Sequence, residues 1–168
     1  MSLLQTELVR KALASSWVVA VLKRLVPPLD RFLLLLSRGW LNAALQSVAL
    51  IETVGARSGL SRRVSTLCMP MDQNLVLVGS NWGQSAAPGW VHNLRASPSA
   101  KVWFRGFVGI MNAREVQGQE RAKIWQQLIE FNPQYQRYQD NCTRLLPVIV
   151  LSRPIDRDND RNETAPLR

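Results

Sequence analysis

This chain is poor in the residues that bind metals and cross-link proteins. It has one histidine, His92, and two cysteines, Cys68 and Cys142, which lie far apart with no CxxC spacing. Such a thin supply of soft ligands does not make a zinc site. Two distant thiols give no disulfide framework, so the simpler expectation is a reducing cytoplasm. Carboxylates are scarce too, with 12 Asp and Glu against 21 Lys and Arg. Glu52, Asp72, Glu115 and Glu120 are scattered, and no spacing unites two of them for hydrolysis. Long apolar runs are missing as well. The segments ALASSWVVAVL and RFLLLLSRGWLNAALQSVALI are broken by charge or polar residues before they reach the roughly 20 apolar residues of a membrane-spanning helix. Lys23, Arg24, Pro27 and Pro28 follow the first run, where a signal peptide would carry small residues for cleavage.

What is present describes one folded domain. A length of 168 residues with 46% hydrophobic and 20% charged residues is a globular balance. The formal charge of +9 and pI near 10.8 imply attraction to something anionic: nucleic acid, an acidic lipid surface or a phosphorylated small molecule. In residues 1–47 the apolar patterning predicts two helices broken at Pro27 and Pro28. They carry Arg10, Lys11, Lys23, Arg24, Arg31 and Arg38 against Glu7 and Asp30. Such helices suit an anionic membrane surface on the inner face of the membrane, reached through residues 1–40, and they suit equally the end of a barrel or a partner subunit.

From residue 48 the pattern changes to short β-rich runs: VALIETV, RVSTLCMP, NLVLVGS, two strands within AKVWFRGFVGIMNAREV meeting near Gly106, and LLPVIVLS. Between them, residues 119–131 place Ile124, Trp125, Leu128 and Ile129 on one helical face. The expected fold class is therefore α+β, an antiparallel barrel with helices packed at its ends, over residues 48–154. Residues 155–168 lack apolar periodicity and read as a disordered tail.

Three segments hold residue types that do chemistry. The stretch from Val54 to Arg63 is a tight turn rich in small residues with Arg57, Arg62 and Arg63; it reads as a phosphate cradle or as a solvated hairpin turn. The stretch GSNWGQSAAPGWVHNLRASP combines Gly79, Ser80 and Gly83 with Trp82 and Trp90. Pro88 begins a helix there that puts Trp90 and Asn93 on one face, and an indole beside a small-residue loop suits a flat aromatic ligand, unless both tryptophans are core. In NPQYQRYQ, Tyr135 and Tyr138 stand three residues apart, able to face one pocket and donate a proton, or to be half-buried structural phenols.

Taken in order, VGARSGLSRR, GSNWGQSAAPGWVHNLRASP and NPQYQRYQDNCTRLLPVIVLSRP resemble the deazaflavin-dependent nitroreductase family over residues 48–154. The resemblance implies a split β-barrel and coenzyme F420, with FMN, held by a related barrel family, as the alternative. It implies hydride transfer to a small-molecule electron acceptor such as a quinone, enone or nitro compound. Gly55, Arg57, Ser58, Gly59 and Arg62 match the family's phosphate turn, while Ala56 replaces a cation and Arg63 adds one. Ser80, Gly83, Pro88, Trp90 and Asn93 match the glycine-rich loop; Asn81, counted with the cofactor residues, stands where a lysine is common, and Trp82 where a glycine is. Tyr135, Tyr138, Arg144 and Pro147 match the third segment. The implied roles are phosphate binding by Arg57, Ser58 and Arg62, a ring pocket lined by Ser80, Gly83 and Asn93 with Trp90 as its wall, and proton or hydrogen-bond donation to the acceptor by Tyr135 and Tyr138. The competing class is a non-catalytic basic module for a membrane surface or nucleic acid. KVWFRG interleaves aromatic and basic residues, but no recognised nucleic-acid motif accompanies it, and this class ranks below the reductase.

Overall fold

In a computed structural model, residues 32, 34–37 and 47–154 are described. The expected pair of helices in 1–47, the membrane contact through residues 1–40 and the tail at 155–168 lie outside these residues, apart from a short helical stretch at Leu34–Leu36. No helix among the described residues is long and apolar enough to cross a membrane.

Six antiparallel strands close into a barrel. They are β1 (Val48–Val54), β2 (Ser61–Met71), β3 (Asn74–Val78), β4 (Ser99–Phe104), β5 (Phe107–Glu115) and β6 (Val148–Ser152), ordered β1-β2-β3-β6-β5-β4 around the wall. The period-two alternation of a strand explains which side chains go inside. Ala49 and Ile51, Leu75 and Leu77, Ala100 and Val102, Met111, Ile149 and Leu151 point inward and pack together with Cys68. Closing the wall leaves no free edge for the backbone N–H and C=O groups.

Several strands are apolar on both faces because the outside of the barrel is also covered. Helices α2 (Gly118–Phe131) and α3 (Gln134–Asp140) lie over the outer face of β3 and β6, where Val76, Val78, Val148 and Val150 pack with Ile124, Trp125, Leu128 and Tyr135. Helix α2 thus buries the face its sequence predicts. Val48, Leu50 and Trp103 form a smaller outer core with Leu34. The third helix, α1 (Gly89–Ala96), is a plug rather than a cover: Trp90, Val91 and Leu94 enter the barrel core.

The tight turn between β4 and β5 falls where the sequence puts it, with Arg105 and Gly106 both at positive φ, the geometry favoured in two-residue hairpins. One boundary differs from expectation. Strand β2 begins at Ser61, so Arg62 joins Arg63, the first residue of the expected run RVSTLCMP, on the strand and does not lie in the turn. Alternation then sends them to opposite faces: Arg62 lies opposite the inward Thr53, and Arg63 opposite the outward Glu52.

Candidate active site

The turn between β1 and β2 is held shut by its own backbone. Gly55 N–H donates to Leu60 O at 2.9 Å and Gly59 N–H to Gly55 O at 2.8 Å. Gly59 has φ of 64°, a left-handed conformation that a side chain disfavours. At Gly55 an added Cβ would sit 2.7 Å from Ser58 Oγ and 3.1 Å from Leu60 O, so the chain closes this tightly only around glycine. The N–H groups of Arg57 and Ser58 have no protein acceptor among the described residues.

Facing this turn is the first half of α1. Between them lies a cleft of about 870 Å³ lined by Thr53, Gly55, Ala56, Arg57, Ser58, Arg62, Val64, Pro88, Gly89, Trp90, His92 and Asn93. Its two walls differ in chemistry. The turn and the start of β2 contribute Arg57, Ser58, Arg62 and open backbone, residue types that together suit an anion. The facing helix contributes Trp90, rooted in the barrel core, and Gly89, where an added Cβ would meet nothing within 4 Å; a flat ring can approach the backbone there. Among the described residues, no acidic side chain lines the cleft.

Turn and helix are joined by Asn93. Its Oδ1 accepts from Ala56 N–H at 2.9 Å, and its Nδ2 donates to Thr53 Oγ1 at 3.0 Å. Asn93 is 9% exposed and Thr53 is 2% exposed, so the bond between them is shielded from water, while the bond to the exposed Ala56 is only partly buried.

The other sequence-predicted residues form a second cluster, which is not part of the cleft lining. Ser80, Asn81 and Gly83 belong to the loop after β3, where Asn81–Gly83 makes a single 3₁₀ turn. Asn81 Nδ2 donates to Gln84 Oε1 and Ala86 O, each at 3.0 Å, so its amide braces the loop internally. Tyr135, 4% exposed, is packed in the outer core under α2, and burial pushes its phenol well above its ordinary range. Tyr138 is half-buried; burial raises its phenol as well, and it meets Trp82 edge to face. The two phenols share a short helix and pack against one apolar cluster, but Tyr135 is buried and Tyr138 only half-buried.

Two features go beyond the sequence reading, which matched Arg144 to the family without giving it a role. Arg144 organises the loop after β3, donating from Nη2 to the carbonyls of Gly79, Ser80 and Ala86 at 3.0–3.3 Å and from Nε to that of Gln84 at 3.2 Å. Nothing local in its sequence marks it, because its partners lie some 60 residues earlier. Thr53 and His92 line the cleft; the inward parity of Thr53 in VALIETV was the available signal. Arg63, the extra cation near the phosphate turn, pairs with Glu52 on the outer face and stacks 5.6 Å from the Trp103 ring centroid, so it does not stand in for the cation missing at Ala56.

The chain is similar to known proteins across this region. A family model described as F420H(2)-dependent quinone reductase matches residues 37–153. An F420H(2)-dependent quinone reductase of Mycobacterium tuberculosis is 32% identical over 107 residues, which is 62% of this chain and 72% of that protein. Among solved structures, an F420-H2 dependent reductase, FDR-A, superposes with a TM-score of 0.58 at 32% identity, covering 63% of this chain and 94% of its own. A structure described as a domain-swapped dimer gives a TM-score of 0.59 at 32% identity, covering 63% of this chain and 80% of its own.

Proposed function

This chain belongs to the F420H(2)-dependent quinone reductase family, and we propose that the cleft between the β1–β2 turn and α1 is where it holds F420 for the reduction of a quinone-type acceptor. The supporting observation is the composition of the two facing walls: Arg57, Ser58 and Arg62 on the turn and strand, Trp90 and the bare backbone of Gly89 on the helix. A cofactor with an anionic arm and a flat ring fits that division, and no lining carboxylate among the described residues opposes it. Bound in its reduced form, F420 supplies the hydride.

The protein's share is binding and orientation. Arg57 and Arg62 neutralise the anionic arm, and the free N–H groups of Arg57 and Ser58 give it directional hydrogen bonds. Trp90 is held by the barrel core, so its ring plane is set before any ligand arrives, which lowers the ordering cost of binding. Tyr138, half-buried beside Trp82 and outside the cleft lining, is the more accessible of the two phenols. Tyr135, buried and neutral, keeps its proton and serves as a donor or as packing, never as a base at neutral pH.

Purified protein titrated with F420 and, separately, with FMN, followed by ligand fluorescence, tests the cofactor assignment. A quinone and a nitroarene then test turnover with the cofactor that binds. F420 is expected to bind and to support quinone reduction; no binding at high micromolar concentration would remove the reading. A surface role for the basic residues of 1–40 is a separate proposal, supported by their excess of Lys and Arg. It predicts co-sedimentation with anionic vesicles that is lost when residues 1–40 are deleted.

A further inference from the structure

Asn93 lines the cleft, and the obvious role for it is direct contact with the cofactor. Its hydrogen bonds say otherwise. Both ends of the amide are already engaged, Oδ1 by Ala56 N–H at 2.9 Å and Nδ2 by Thr53 Oγ1 at 3.0 Å. These partners belong to the two ends of one structural problem. Thr53 is the last inward residue of β1, and Ala56 is the second residue of the turn, which leaves the strand at Val54. The turn's own two backbone bonds close it on itself but do not say where it hangs relative to the helix across the cleft. Among the described residues, the only hydrogen bonds linking α1 to β1 and its turn are the two made by Asn93.

We infer that Asn93 is a positioning residue: it bolts the anion-directed turn to α1 and so sets the distance between that turn and the Trp90 wall. Trp90 and Asn93 are three residues apart on one face of α1. Through Asn93, the turn that offers Arg57 and Ser58 is referred to the same helical face that carries the indole. A rigid ligand with an anion at one end and a ring at the other needs both contacts at once, and a small misplacement of either wall is costly. The amide is the right group for this task. One side must accept from a backbone N–H and the other must donate to a hydroxyl oxygen, and in a buried site each lone group left behind would be penalised. Aspartate would fill the space but would lose the donor and add charge beside an anion site.

The inference rests on the cleft being the F420 site, and the experiment separates the two. Ala56 amide exchange is measured by NMR in the cofactor-free full-length protein for the wild type, Asn93→Ala, Thr53→Val and Thr53→Ser. F420 titrations and steady-state kinetics are run on the same proteins. Expected are faster Ala56 exchange in N93A and T53V, roughly tenfold weaker F420 binding, and a KM for F420 raised in proportion with kcat nearly unchanged, since the turn holds ground state and transition state alike. T53S, which keeps the hydroxyl, restores exchange and affinity towards the wild type. If N93A loses affinity while Ala56 exchange stays at the wild-type rate, Asn93 contacts the ligand directly and the positioning role is overturned. If N93A does not fold, the T53V and T53S pair decides: equal affinities overturn the inference, and a loss confined to T53V supports it. Should the wild type itself fail to bind F420, the functional reading falls. The exchange rates, together with inorganic phosphate shifts at the Arg57 and Ser58 amides, still read the bolt.

Discussion

Trp82 meets Tyr138 edge to face, with ring centroids 6.5 Å apart and planes inclined at 73°. The contact is made from an unfavourable backbone. Trp82 has φ of 58° and the preceding Asn81 has φ of 46°, so two consecutive non-glycine residues occupy the left-handed region. Trp82 is also 64% exposed, so the position is not dictated by burial of the indole. Left-handed backbone costs a side-chain-bearing residue about 1–2 kcal/mol. Trp82→Ala loses the ring contact and keeps the strain, whereas Trp82→Gly loses the contact and removes the strain. Urea unfolding should therefore find W82G more stable than W82A by about 0.5–1 kcal/mol, after allowance for the extra freedom of glycine in the unfolded chain. Equal stabilities would mean that the loop relaxes when the indole is gone.

Arg62 and Arg63 are neighbours with opposite duties. Arg62→Ala should weaken F420 binding by about 1.5–3 kcal/mol, roughly ten- to a hundredfold, because a charge-assisted contact at the cleft is removed. Arg63→Ala removes the same formal charge from the outer face, where Arg63 pairs with Glu52, and should leave affinity within about threefold. Fluorescence titrations of both variants at one fixed salt concentration make the comparison, since screening would imitate a weaker site. Similar losses in both would show that overall charge matters and side does not.

The loop after β3 depends on one guanidinium. Arg144 reaches the carbonyls of Gly79, Ser80, Gln84 and Ala86, a fan that a single ammonium cannot reproduce. Arg144→Lys should lower stability by about 1–3 kcal/mol and speed amide exchange across residues 79–87. Thermal unfolding at the wild-type midpoint would show that the loop is braced by other means.

Two buried acids predict how stability falls in alkali. Burial pushes the Cys68 thiol from 9.0 up to about 12, against the smaller opposing effects of Ser47, Arg105 and the Ala49 backbone. Burial also raises the Tyr135 phenol above its ordinary value of 10.0. In both cases the folded state holds its proton more tightly than the unfolded chain. The resulting stability is complete below pH 9 and is lost as pH climbs from 9 towards 12. Urea midpoints should therefore decline over that interval, less steeply in Tyr135→Phe. At pH 8 the buried Cys68 thiol keeps its proton, so iodoacetamide should spare it in the native protein and label it after unfolding. Rapid native labelling at Cys68 would contradict the burial.

The strands, the amphipathic helix α2 and the glycine turn were legible in the chain itself, because each is written in short-range terms. The short β-branched, apolar runs VALIETV and NLVLV mark strands, the spacing of Ile124, Trp125 and Leu128 marks a helix, and Gly55 and Gly59 mark a turn that other residues would strain. Motif order across the three segments also carried the family. Other features depended on contacts between residues far apart in sequence. That Asn93 joins Thr53 and Ala56, 40 and 37 positions away, follows only from closing the barrel and seating α1 in its mouth. The separation of Tyr135 from Tyr138 has the same origin: both are phenols on one short helix, but α2 and the outer faces of β3 and β6 bury the first and leave the second half open. Local pattern determines which element a residue joins, because hydrogen bonding and periodicity act over a few residues. Which side chains meet, and which are withdrawn from water, is decided by packing those elements together, and that is where the cleft acquired its two walls.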